Sequence, residues 1–428
     1  MKVPESIKTV FAAIRRQVTG APLMSWLFGV LVAVALEYVV GYPLARALGL
    51  PKVPALFGLT LMLKQPLLIP SALLYTTIIY VLPVGLIAKF SDVLGNAIAA
   101  RLLKLPFVVT VMVHLGMLYL VFHLWTGVSD YRLVTLKFML IAILLTLSLN
   151  LINGYMGEFS CSHPGFMALG AYTASMFTIG LFTDNRLLGE AVFHSPLLGY
   201  ALFPLMLLIG GAVASFGALI IAIPSFKTRG DYLAIISLAF LFIVKSLIEN
   251  LEFMGGPRGL SGQPDWATLP MVFSITVAGV WIMNNFVTST MGKGLNAVRD
   301  DESAAEAMTV DTRAVKMRCF LFGAFWAGVA GGLYAHVIRY ISPADFGLTK
   351  LAEILAMVYF GGLNSIWGSI VGAVGISALS EVLRPLQMLK WLCIPLLLIL
   401  VMIYRPRGLV SFKEFNLRKM LSPRRTKV

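Results

Sequence analysis

Apolar runs recur along almost the whole chain, separated by short stretches where charge, Gly and Pro collect. A hydrocarbon layer of ~30 Å takes about 20 residues of helix at 1.5 Å per residue. The pattern predicts spans near 23–43, 66–87, 105–125, 135–153, 164–183, 196–223, 231–250, 268–289, 319–338, 351–362, 365–383 and 391–404. The expected fold is all-α, a polytopic transmembrane helical bundle of about 10–12 membrane segments. Two places disturb the pattern. Segment 351–362 is too short to cross as an ideal helix and runs into Gly361-Gly362, so it is expected to be broken or re-entrant. Residues 43–70 carry Pro43, Pro51, Pro54, Pro66 and Pro70 and resist division into helices.

Composition supports this class. The 428 residues are 58% hydrophobic and 13% charged, where a soluble domain holds about 25% charged residues. The basic start, MKVPESIKTVFAAIRRQ, lacks a short apolar core followed by a small-residue cleavage site, so no cleaved signal peptide is expected. Cys161, Cys319 and Cys393 lie far apart, which argues against a disulfide framework or a zinc site. The net charge of +14 has two readings, nucleic acid or basic residues gathered on the cytoplasmic side of a membrane. With the N-terminus inside, inner loops hold 22 Lys and Arg and outer loops 10. That excess favours the membrane reading without nucleic acid. It puts both termini, and residues 290–318, in the cytoplasm.

The longest polar interruption in the C-terminal half is Gly292–Arg318, GKGLNAVRDDESAAEAMTVDTRAVKMR. Ser303-Ala304-Ala305-Glu306 reads as a capping box, with Ser303 as the cap. The acids Asp300, Asp301 and Glu302 sit beside the positive end of that helix dipole. Ala304, Ala305 and Met308 then share one face, giving a short amphipathic helix with an exposed apolar knob. Such a helix suits a groove on another protein. The alternative is a solvated loop with one helical turn.

Other polar positions leave similar choices open. Gly154, Gly157, Pro164 and Gly165 make 153–165 a poor continuous helix. Asn150, Asn153, Ser160, Ser162 and His163 supply polar groups there, either to a translocation path or to a turn with ordinary interhelical hydrogen bonds. Arg229-Gly230-Asp231-Tyr232 opens a span, with Asp231 available as a cap, or meets a partner. Gly255, Gly256 and Gly259 make a flexible outer loop. Lys245 and Glu249 pair at i, i+4, or snorkel near a helix end. The histidines His114, His123, His194 and His336 have no ligand spacing, and no metal site is expected. No nucleophile has a base partner. Leu260-Ser261-Gly262-Gln263 looks like part of an ATPase signature, but the chain has no GxxxxGK[ST] phosphate loop.

Five stretches in order carry a family resemblance. They are Leu149–Tyr172 around Asn-Gly-Tyr-Met-Gly, Thr228–Ile235, Gly255–Leu260, the stretch 292–318, and Gly361–Gly368 closed by Arg405–Leu409. Together they resemble LivM-type permeases of branched-chain amino acid ABC importers. In that family the 292–318 stretch is a cytoplasmic coupling loop seated in an ATPase. The resemblance assigns the coupling role to Arg299, Asp301, Glu302, Ala304, Ala305 and Met308. It expects Gly where this chain has Thr309.

The resemblance divides the chain into an N-terminal extension with extra spans (1–132), a permease core (133–410) and a basic cytoplasmic tail (411–428). It implies a bacterial inner-membrane subunit that imports leucine, isoleucine and valine. Its partners would be a LivH-like second permease, two cytoplasmic ABC ATPases, a periplasmic binding protein and the lipid bilayer. No cofactor would be bound by this chain, ATP being used by the partners. Related permeases for urea or short amides are the rival within the class. An ion-coupled secondary transporter is the rival outside it, and it would place several paired ionisable groups near mid-membrane.

Overall fold

A computed structural model describes residues 22–54, 65–185, 189–227, 232–386, 389–405, 408–411 and 421–422. The chain forms two compact units, one of residues 1–133 with 382–386 and 416–428, the other of residues 134–381 with 387–415. Nine helices among the described residues are long and apolar enough to cross a membrane, and Ile366–Val382 and Leu392–Tyr404 are shorter apolar helices. All twelve predicted runs coincide with helices. The largest difference is at 319–338, where the helix begins seven residues earlier. Asp311 caps it by accepting from the Ala314 amide at 3.0 Å, so the basic residues Arg313, Lys316 and Arg318 continue the helix beyond its apolar part.

The first unit contains α1 (Leu23–Ala47), α2 (Ile69–Phe90), α3 (Asp92–Leu102) and α4 (Phe107–Thr126). Within α2, residues Thr77–Val81 form a π turn. Its cause is Pro83, which has no amide to donate into the helix; the Leu82 amide reaches back five residues to Thr77 instead. Ala33, Tyr75, Ile79 and Tyr80 form the buried core. Beside them lies a buried ion pair, Glu37 with Arg132, 2.8 Å apart.

The second unit is built on α5 (Asp130–Met156), whose last six residues, Leu151–Met156, are a π turn. Every residue from Met139 to Met156 is buried, so this helix is central to the unit. Around it lie α6 (His163–Phe182), α7 (Pro196–Ser225), α8 (Tyr232–Asn250) and α9 (Leu269–Thr288). Two short helices, α10 (Thr290–Asp300) and α11 (Glu302–Ala307), precede α12 (Thr312–Ile338). The unit closes with α13 (Leu348–Gly361), α14 (Ile366–Val382) and α15 (Leu389–Tyr404). Backbones of α6, α7 and α12 touch through small residues. A Cβ on Gly170 would sit 2.1 Å from the Gly328 carbonyl oxygen, and one on Gly328 2.9 Å from that of Gly210. Between helices that face hydrocarbon, close backbone approach supplies the packing that hydrophobicity cannot.

The short segment near 351–362 is one unbroken 14-residue helix, about 21 Å long. It reverses at Gly362 and Asn364, both with positive φ, and α14 runs back against it. The glycine-rich loop after α8 uses the backbone freedom of glycine at specific positions. Gly255 and Gly259 adopt φ of 88° and 79°. Leu260–Ser261 (β1) pairs antiparallel with Tyr340–Ile341 (β2). A Cβ on Gly259 would lie 2.3 Å from the Ile341 carbonyl oxygen, so close approach requires glycine there. Thr228–Asp231, with the expected Asp231 cap, and residues 406–407 and 412–420 lie outside the described residues.

Candidate functional site

The stretch 290–318 folds as three helical pieces. Ser289 caps α10, its Oγ accepting from the Gly292 amide. Gly292, Leu295 and Val298 recur every three residues on its buried face. Asp301 then breaks the helix with extended backbone and caps α11, accepting from the Ala304 amide at 3.0 Å. The expected capping box at Ser303 and Glu306 does not form. Because α10 ends at Asp300, the first extended residue is Asp301; Ser303 already lies inside the helix. Glu306 accepts instead from the Thr312 hydroxyl at 3.1 Å.

The exposed face also differs from the expectation. Ala305 is turned inward, 5% exposed, whereas Ala304, Ala307 and Met308 stay open to solvent, Met308 at 77%. The knob is therefore Ala304, Ala307 and Met308, at i, i+3 and i+4. The helix ends in a Schellman motif: the Thr309 amide donates to Glu306 O and the Val310 amide to Ala305 O. Thr309 holds φ at 63°, a conformation that costs a β-branched residue about 1–2 kcal/mol. Thr309→Gly should accordingly raise stability by about 1 kcal/mol, read as a higher unfolding temperature of the purified protein. A lower one would contradict the strain.

Two basic residues tie this stretch to the end of α5. Lys316 bridges Glu158 at 2.8 Å and Glu302 at 2.9 Å. Arg299 donates to the Gly154 carbonyl at 3.4 Å and pairs with Asp300 at 2.7 Å. Its stem lies over Gly157, where a Cβ would come within 2.5 Å of Arg299 Cγ. Of the six residues assigned to coupling, Ala304 and Met308 face solvent. Asp301 caps, Arg299 and Glu302 brace the stretch, and Ala305 packs inside.

The five polar residues expected on a path are brought together and buried. Asn150 clamps the turn between α13 and α14. Its Nδ2 donates to Ser365 O at 3.1 Å and Ser369 Oγ at 2.7 Å, and its Oδ1 accepts from the Asn364 amide at 3.2 Å. Asn153 accepts from the Ser160 amide, and the Ser160 and Ser162 hydroxyls bond at 2.8 Å. His163 opens α6 against Phe166, ring to ring at 5.9 Å. Burial pushes the neighbouring Cys161 thiol above its ordinary value, keeping it protonated. Together these residues form a buried polar layer joining α5, α6 and the α13–α14 turn.

Elsewhere, the expected Lys245–Glu249 pair is a loose one, 3.8 Å apart with both side chains about a third exposed. Among the described residues no three His, Cys, Asp or Glu side chains cluster to hold a metal. The sequence reading passed over Glu37, Lys350 and Glu353. Their signal was present: ionisable residues inside or at the start of predicted spans, with Lys350 and Glu353 at i, i+3.

A family model described as branched-chain amino acid transport system / permease component matches residues 131–404. The chain belongs to this permease family. The permease is 29% identical over 314 residues to the high-affinity branched-chain amino acid transport system permease protein LivM of Escherichia coli K12. That alignment covers 65% of this chain and 70% of the relative. The protein of the same description from Salmonella typhimurium LT2 matches to the same extent. A probable branched-chain amino acid transport permease protein LivM from Methanocaldococcus jannaschii is 22% identical over 264 residues, 55% of this permease and 76% of the relative. No solved structure matches it.

Proposed function

We propose that the permease is one membrane subunit of an ATP-driven importer that carries leucine, isoleucine and valine into a bacterial cytoplasm. The observation that carries the reading is the family match over 131–404, reinforced by relatives named for high-affinity branched-chain amino acid transport. It works in the inner membrane with a LivH-like permease, two ABC ATPases and a periplasmic binding protein. Both termini and the 290–318 stretch face the cytoplasm, as the excess of inner basic residues favours. Residues 1–132 are an added module of spans before the permease core, and 411–428 a basic tail. The family match begins at 131 and the first long run of the first unit ends at 133, which supports the boundary near 132.

The bracing suggests how movement passes inward. The ATPases close on nucleotide and carry the Ala304–Met308 knob with them. Lys316 and Arg299 transmit the shift to the 154–158 turn, and Asn150 passes it to the turn between α13 and α14. Deleting the gene should abolish uptake of leucine, isoleucine and valine at low external concentration. Unchanged uptake of all three with loss of urea uptake would overturn the substrate assignment.

A further inference from the structure

The second unit holds a cavity of about 240 Å³ at the end away from α11. Along α13 it extends from Lys350 to Met357. Lys350 lies eleven residues, about 16 Å of helix, from the Gly361 end where Asn150 clamps the turn. On α5 the cavity begins at Thr135, far from Asn150 on the same helix.

Its lining divides chemically. It includes two cations and two anions, Lys350, Lys390, Glu353 and Glu381. Lys350 Nζ and Glu353 Oε2 pair at 3.0 Å, and the ammonium lies 4.9 Å from the centre of the Tyr334 ring. Thr135, Ser377 and Ser380 add hydroxyl-bearing residues to the lining. The apolar part of the lining is aliphatic and aromatic: Phe138, Ile141, Ala142, Leu145, Ile354 and Met357.

Desolvated charges are costly, and in membrane proteins they usually mark a substrate path. The charges here are balanced. A simple anion or a cation would answer one sign and leave the other unmatched. A small neutral amide would leave the apolar wall uncovered. A zwitterion with an aliphatic body answers both halves. The volume suits it too: about eight waters at ~30 Å³ each, close to the nine non-hydrogen atoms of leucine.

We propose that this cavity is a transient binding station for the aliphatic amino acid inside the permease. Lys350 meets the carboxylate and Glu353 the ammonium, so the entering zwitterion exchanges one protein ion pair for two. Ala142, Leu145, Ile354 and Met357 receive the side chain. This rests on the transport reading above and adds to it a site within this chain.

The test uses the complete importer with its binding protein in proteoliposomes, reading uptake of labelled leucine and valine at saturating binding protein. Copurification of all subunits is the control for assembly. Lys350→Gln combined with Glu353→Gln removes both charges without orphaning either. It should lower uptake of both amino acids at least tenfold. Ala142→Leu narrows the apolar half and should depress leucine uptake several-fold more than valine uptake, a change of ratio that general damage would not produce. Assembled variants with the parent protein's rates and leucine-to-valine ratio would overturn the station while leaving the transport reading intact. A parent importer that moves neither amino acid would overturn both. Should Ala142→Leu fail to assemble, the double substitution alone decides.

Discussion

Ala304→Arg and Met308→Asp should each leave the permease folded and inserted yet unable to harness ATP hydrolysis. Both positions lie on the exposed face of α11, and Met308 is 77% exposed. Both side chains are exposed, so the fold should lose about 1 kcal/mol or less, most of it at Met308, where a carboxylate at the helix C-terminus opposes the dipole. In a docked complex the balance reverses. A small apolar knob seated in a groove admits no bulky charge, and an unpaired charge buried at an interface costs about 2–5 kcal/mol. That loosens docking by a factor of roughly 30 or more. Leucine transport should fall accordingly, and ATP hydrolysis should stop responding to the loaded binding protein. Retained transport with an assembled complex would mean that α11 is not the docking element. Ala305→Glu is not an equivalent test. Ala305 packs inward, so a carboxylate there would disturb the packing of α11 before any partner is met.

The second large effect lies in the first unit. Arg132 is 1% and Glu37 3% exposed. The guanidinium makes two bonds of 2.8 Å to the two carboxylate oxygens and one of 3.1 Å to the Pro54 carbonyl. The Tyr75 and Tyr80 hydroxyls donate to the same carboxylate, and Trp125 lies under the guanidinium at 5.2 Å. Every polar atom of the carboxylate is engaged, so the pair is tolerated despite its desolvation. Arg132→Ala strands a buried carboxylate and should destabilise by about 3–5 kcal/mol. Glu37→Gln combined with Arg132→Met removes both charges and should cost markedly less. Unfolding temperatures of the detergent-solubilised variants separate the cases. Equal losses for the single and double changes would show that the charges themselves are not what matters.

The sequence made the spans legible because hydrocarbon imposes a length and a composition that side-chain detail does not alter. It was less able to place individual side chains. Ser303 and Glu306 match a capping box, but the cap went to Asp301, because the cap is decided by where the preceding helix ends. A face read from spacing put Ala304 and Ala305 together. The short helix has fewer than two turns, and in it Ala305 is buried while Ala304 is exposed. Asn150 was visible as a polar residue in an apolar run, but its role depends on Asn364, Ser365 and Ser369, more than 200 residues away. The glycines at 255 and 259 signalled freedom in isolation. In the fold both have positive φ, and Gly259 also lies against the Ile341 backbone. Thr309 is the converse case. The family pattern expected Gly there, and the backbone adopts the conformation that glycine favours.

The central claim is that the Ala304–Met308 face seats against an ATP-hydrolysing subunit. Met308→Cys, with the three native cysteines replaced by serine, places one thiol on that face. Cross-linking in inverted membrane vesicles with a short thiol-to-amine reagent should join the permease to the ATPase, with a yield that changes when ATP is added. Cross-links formed only to other membrane subunits, or labelling of position 308 from outside intact cells, would contradict the account.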